Sequence, residues 1–448
     1  MFSFDSRQLH PVFHFHQFDW HFVNPEKLHI QFTFEIENLF HFKPTLEINF
    51  PQGFTNSIST DHLNHFVFQY GLIEMVSYWK STCSPKIQIH CGKLNQEQIQ
   101  FWENLFYLGL GEFRYKNGIT VAQNLFVHIE CLNFTNELNL PKQNKIQDDL
   151  FIVPIGGGKD SIVTLEILRK NKIEPMLFFL NPRASSIQIA KESNIPISKW
   201  VTAKRQIDSA LLKLNSQGYL NGHTPFSALL AFMSILVSVP LQVSQIILSN
   251  ESSAEEGNLL FHGEIINHQY SKSLDFEKKF TQYSQKFLTP NTKYFSFLRP
   301  LKELQIAKLF ARYKSYHLHF KSCNVGQKND VWCGECSKCL FVWVILSPWL
   351  STNEIAKIFG KNMWCDLQLL ETLKQLAGIT GNKPFECVGT IAEVRTALAM
   401  CIQKYSTENF PLLIEAQKWG LKISNETMSK DHMVPKYFME MLQNELSC

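Results

Sequence analysis

The sequence predicts an α/β fold. A doubly wound parallel sheet occupies the middle of the chain, an N-terminal α+β domain precedes it, and a mostly helical C-terminal region follows. Three observations predict this. Short apolar strands alternate with helical repeats from about residue 150 to 250. Apolar and polar residues alternate with period two near the start. Helix-start signals dominate beyond residue 340. At ~150 residues per domain, a chain of 448 residues accommodates three regions, set here at 1–145, 146–340 and 341–448.

Phe13, Phe15, Phe18, Trp20 and Phe22, then Ile30, Phe32, Phe34 and Ile36, have the spacing of half-buried strands. Helical patches follow at Leu63–Trp79 and Gln96–Leu108. The polar run Asn139–Asp149, with Pro141, reads as the linker. FIVPI is then a short strand, SIVTLEILRK a helix, PMLFFL a second strand and SSIQIAKESNI a second helix. From Thr224 to Asn250 there is no charge, a length that could span a bilayer. Pro240 divides it into a buried helix, Phe226–Val239, and a buried parallel strand, Gln245–Leu248, so no membrane partner is expected. Later, Ser351 with Glu354 and Thr390 with Glu393 form capping boxes, and Gly378 closes a helix that begins near Asp366.

Composition narrows the class. With 45% hydrophobic and 19% charged residues, the chain is not a disordered polypeptide. Lys+Arg 43 against Asp+Glu 40 gives a net charge of +3, so nucleic acid is not an expected partner. Eleven unevenly spaced cysteines do not form a secreted disulfide framework. The first twenty residues lack a basic segment followed by an apolar one. The expectation is a cytoplasmic protein with reduced thiols.

The strongest motif is PIGGGKDSIV, residues 154–163, which follows a strand and opens a helix. Gly156, Gly157 and Gly158 let backbone approach a ligand, and the loop amides face an anion with the helix dipole behind them. Asp160 can help hold Mg²⁺, Ser161 can donate to a phosphate oxygen, and Lys159 adds a point charge. A glycine turn used only for packing is the alternative. GGGKDS resembles the SGGxDS signature of the PP-loop ATP pyrophosphatases, with Gly156 where that signature has Ser. The resemblance implies cleavage of ATP between the α- and β-phosphates and transfer of AMP to an acceptor oxygen.

Cys323, Cys333, Cys336 and Cys339 form C-x9-C-x2-C-x2-C. Four thiolates at this spacing suit a structural Zn²⁺, with an iron–sulfur cluster as the alternative. A closed four-thiolate site has no open position, so its role is structural.

The segments GLGEFRYKNG (109–118), NGH (221–223), SNESSAEEGN (249–258) and INHQYSKSLDFE (266–277) continue with YFSFLRPLKEL (294–304), HFKSCN (319–324), WCGECSKC (332–339) and KPFECVG (383–389). Together they resemble the MurL family of UDP-N-acetylmuramoyl-L-alanyl-L-glutamate epimerases. The resemblance implies an enzyme of peptidoglycan precursor synthesis. Its substrate would be UDP-MurNAc-L-Ala-L-Glu, made by a MurD-type ligase. The terminal L-Glu would be inverted to D-Glu through an acyl-adenylate, using ATP and Mg²⁺ and releasing AMP and pyrophosphate.

Lys272 and Arg299 can neutralise phosphates or substrate carboxylates. Asn250 and Glu251 lie past a predicted parallel strand, where ligands bind in such sheets, and Glu251 can ligate Mg²⁺. His268 and Cys387 are candidate acid–base groups, with His223 a weaker one. His14 and His16 share a strand face, which ordinary surface histidines also do. Two other functions stay open. One is a PP-loop ligase or amidating synthase of the 7-cyano-7-deazaguanine synthase type. The other is a nucleotide-binding regulator without turnover. The oligomeric state is not legible in the sequence.

Overall fold

The computed structural model describes residues 3–56, 58–132, 147–425 and 427–447. Its strands are β1 (Val12–Asn24), β2 (Lys27–Ile36), β3 (Phe40–Phe42), β4 (Thr45–Asn49), β5 (Lys86–Ile89) and β6 (His128–Cys131). They continue as β7 (Gln147–Pro154), β8 (Met176–Leu180), β9 (Trp200–Gln206), β10 (Val243–Leu248), β11 (Leu259–Phe261), β12 (Glu264–Ile266) and β13 (Lys293–Ser296). The expected linker and the 145/146 boundary fall largely outside the described residues; β7 begins at Gln147.

Period-two alternation builds the β1–β2 hairpin, in which Phe15 faces Phe34 and Phe18 faces Phe32. A bulge lies between Phe15 and Gln17. Side chains in a strand alternate faces, so one extra residue reverses the phase. That is why Phe13 and Phe15, then Phe18, Trp20 and Phe22, all reach one core.

Most described strands form one sheet in the order β13-β10-β7-β8-β9-β4-β2-β1-β5-β6, with β3 added to β2. From β13 to β9 all neighbours are parallel. β4 then pairs antiparallel with both β9 and β2. The strands of residues 1–145 and the parallel strands after them are therefore hydrogen-bonded into one sheet. The cores interlock as well: Phe13, Trp79 and Trp102 share a cluster with Phe232 and Leu236 of the helix Phe226–Ser238. That helix and β10 match the reading of the uncharged stretch. Among the described residues, no helix is long and apolar enough to cross a membrane.

The region beyond residue 340 is helical and packs around Trp343 and Trp364. Both capping boxes form. Gly378 takes φ +60 after the helix Leu370–Leu376, which is preceded by 3₁₀ turns around Asp366.

Sheet order positions the site. From β7 the chain steps to β8 and β9 on one side, then returns to place β10 on the other. Such a reversal leaves a crevice at the carboxyl ends of the two central strands, where open α/β sheets bind ligands. The glycine turn leaves β7 there, and Asn250 and Glu251 follow β10.

Candidate active site

The glycine turn carries a backbone that other residues would strain. Gly157 has φ +93, and a Cβ there would lie 3.0 Å from Ser185 Oγ. Gly158 precedes the helix Lys159–Lys170 and provides no side-chain cap, so the first helical amides face the crevice without a side-chain acceptor at that cap. The carbonyls are tied back. Arg183 donates to Gly156 O at 2.7 Å, Lys321 N to Gly157 O at 2.8 Å and Ser161 Oγ to Gly158 O at 3.0 Å. A Cβ at Gly156 would meet nothing within 4 Å, so a serine would fit there. Arg183 was not foreseen; the only signal was a basic residue beyond the end of β8.

Three carboxylates meet behind the turn. Oxygens of Asp160, Glu251 and Glu303 lie within 4.8 Å of one another. Lys159, 3% exposed, bonds to Asp160 and Glu303, so its charge is engaged inside the protein. Burial, and then the charges of Asp160 and Glu251, push Glu303 up to about 7 against the pull of Lys159. Burial also disfavours charge on Asp160, but Lys159 and then Lys338 hold it below the usual carboxylate range. Three hard oxygens from separate segments are a donor set that fits Mg²⁺. Glu303 starts the helix Glu303–Phe310, and its backbone N–H donates to Glu393 Oε1 at 2.7 Å. The capping glutamate of a C-terminal helix thus fixes one of these carboxylates. Asn250 donates to Ser296 Oγ at 3.1 Å, joining the ends of β10 and β13.

Beside this cluster a thiol and an imidazole meet, although 119 positions separate them. His268 hydrogen-bonds with Cys387 and, through Nδ1, with Glu112. Burial alone would raise the Cys387 thiol. Lys272 beside it, then His268 and Lys338, bring it down to about 6. Burial disfavours the His268 imidazolium, but Cys387 and Glu112 hold it up at about 9. Glu112 itself is brought down to about 2 against burial, by His268 and Lys116. The arrangement is a thiolate–imidazolium pair at neutral pH. The His223 ring lies tilted at 52° beside His268, with ring centroids 4.3 Å apart; burial, then the His268 charge, drop it to about 3.

Asn258 braces the pair. Its Oδ1 accepts from His268 N at 2.9 Å, and its Nδ2 donates to Pro384 O at 2.9 Å. Lys272 has a raised pKa despite burial, held by Cys387, Glu251 and Asp160. It therefore links the thiol to the carboxylate cluster.

Arg299 is placed differently from expectation. It is 1% exposed, and its guanidinium bonds to Glu277, Glu255, Glu251 O and Lys272 O. These five bonds use its five donors. Arg299 holds the backbone that presents Glu251 and Lys272, and has no donor left for a substrate.

The cysteine cluster lies alongside. Cys323 and Cys336 sulfurs are 3.8 Å apart and those of Cys333 and Cys339 3.7 Å, with all four within 4.8 Å. A tetrahedron with Zn–S of ~2.3 Å has edges of about 3.8 Å. Amides of Gly326, Cys336 and Cys339 donate to the sulfurs of Cys323, Cys333 and Cys336. The donors fit a four-thiolate metal. Lys338, inside the motif, donates to Cys387 O.

A carbon acid is inverted by removing its proton on one face and returning one on the other, which needs a base and an acid together. The Cys387 thiol and the His268 imidazole can each gain and lose a proton, chemistry that fits an isomerase. Comparison with known proteins agrees. The family model of the MurL N-terminal domain matches residues 5–297, and that of the MurL C-terminal domain matches residues 319–431. Relatives named UDP-N-acetyl-alpha-D-muramoyl-L-alanyl-L-glutamate epimerase occur in Salinispora tropica, at 32% identity over 76% of this chain and 74% of that protein, and in Xanthomonas oryzae pv. oryzae, at 33% over 73% and 72%. A third, from a Micromonospora species, is 30% identical over 82% of this chain and 83% of that protein. The chain belongs to the MurL family.

Proposed function

We propose that this enzyme epimerises the terminal L-Glu of UDP-MurNAc-L-Ala-L-Glu to D-Glu through an acyl-adenylate, with ATP as co-substrate. The observation that carries the reading is that Lys272 joins two unlike sites: the phosphate turn with its carboxylates, and the Cys387–His268 pair.

The chemistry follows from these groups. A free carboxylate activates its α-hydrogen poorly, because deprotonation builds a dianion. In the first step the α-carboxylate oxygen attacks the α-phosphorus of ATP and pyrophosphate leaves. The turn amides hold phosphate oxygens, while Arg183 steadies the turn itself. Mg²⁺, held by Asp160, Glu251 and Glu303, would supply charge neutralisation at the phosphates. The Cys387 thiolate takes the Cα proton, and the enolate charge is stabilised by Lys272 and Lys338. The glutamyl Cα enters between the two groups in place of their hydrogen bond, and the His268 imidazolium returns a proton to the opposite face. Water then hydrolyses the adenylate, giving D-Glu and AMP and making the cycle irreversible. The Cys cluster is read as a structural Zn²⁺ site that aims Lys338. The nucleotide part of the substrate lies far from the reacting carbon, and its binding energy positions the glutamate.

The test is incubation with the UDP-dipeptide and ATP in D₂O, followed by chiral analysis. The expected product is D-Glu carrying deuterium at Cα, with one AMP per turnover. An ATP-driven inversion without deuterium would sink the proton-abstraction scheme.

A further inference from the structure

Residues of the N-terminal hairpin that the active site does not use converge on its solvent side. Register places His14 of β1 opposite Glu35 of β2, and Glu35 opposite His41 of β3. Directly opposed strand residues have Cβ atoms only about 4.5–5.5 Å apart. The β1 bulge begins at His16 and turns its ring into the same group. His16 Nε2 lies 2.5 Å and His41 Nδ1 3.8 Å from Glu35 Oε2. One nitrogen of each histidine and one Glu35 oxygen all fall within 4.8 Å. His14 stacks on His16 at 5.2 Å, and its Nδ1 is 3.1 Å from His90 Nε2.

We propose that His16, Glu35 and His41 form a binding site for a divalent transition-metal ion, with His14 and His90 packing the His16 ring in place. Two imidazoles and a carboxylate are a ligand set that Zn²⁺ takes while keeping an open position. Ligands at ~2.1 Å from one ion lie up to about 4.2 Å apart, so small side-chain rotations bring these three together. An ordinary ion pair accounts for His16 and Glu35 only. It leaves unexplained why His14, His41 and His90 gather around the same single carboxylate. The three ligands come from three paired strands, so a bound ion would cross-link that end of the sheet.

The test uses the full-length protein, prepared with zinc and desalted, so that the metal it already retains is counted by elemental analysis. Zn²⁺ is then titrated calorimetrically. One further equivalent is expected. Glu35→Gln and His41→Asn each weaken it at least about tenfold, while His128→Asn, at a remote exposed histidine, leaves it unchanged. The His41 side chain is 66% exposed, so that variant keeps its fold, checked by an unaltered melting temperature without added metal. With Cu²⁺ as a second probe, the electron paramagnetic resonance spectrum shows nitrogen ligation that His41→Asn diminishes. No further equivalent, or one that both variants leave intact, overturns the proposal.

Discussion

Replacing Glu112 by Gln tests the acid half of the proposed pair without touching a reacting group. The carboxylate hydrogen-bonds His268, which stands at about 9 in the folded protein. A buried charge-assisted hydrogen bond is worth about 1.5–3 kcal/mol, and one pKa unit is ~1.36 kcal/mol. Its loss lowers His268 by about one to two units, with burial pulling the same way. At a two-unit drop, the imidazolium fraction near pH 8 falls from about 0.9 to about 0.1, while near pH 6.5 it falls less than about 1.5-fold. The basic limb of the epimerisation profile therefore moves down, with about tenfold loss of rate near pH 8 and little loss near pH 6.5. The assay is initial D-Glu formation from about pH 5.5 to 9.5, with ATP–pyrophosphate exchange as the adenylation control. An unmoved basic limb, or exchange falling in step with inversion, refutes the assignment of His268 as the acid.

Further outcomes follow from the same geometry. Cys387→Ala should slow inversion by about 10²–10⁴-fold while pyrophosphate exchange persists; full activity would mean another base. Because Cys387 stands at about 6, wild-type activity should fall as pH drops through that value, when the thiolate gains its proton; a rate still flat near pH 5 would contradict this. Asp160→Ala should abolish pyrophosphate release in a folded protein, since it opens the carboxylate cluster; normal ATP turnover would remove the turn from the reaction. Gly157→Ala should cost about 1 kcal/mol or more in stability and weaken ATP binding, because φ +93 is strained for alanine and its Cβ meets Ser185; denaturant melts and ATP titration check it. Changing any cluster cysteine to Ser should lower the melting temperature and release one zinc per chain; iron by elemental analysis would reject the metal assignment.

The sequence by itself determined the local structure. Period-two alternation specified the first strands, the uncharged run with Pro240 resolved into a buried helix and strand, and both capping boxes were readable because their partners lie three residues apart. The glycine turn was legible for the same reason: strand, turn and helix are consecutive. Tertiary structure alone decided what lies between distant segments. Pairing of β4 with β9 joins the strands of residues 1–145 to the parallel sheet, and no local pattern encodes a partner more than 150 residues away. Glu112 and Glu303 went unforeseen because a glutamate near a helix start reads as an ordinary first-turn acid until the fold sets it against His268 or Lys159. Arg299 went the other way: only the fold shows that its five donors are already taken. A site pKa depends on burial and on charges a few ångströms away, and chain order fixes neither.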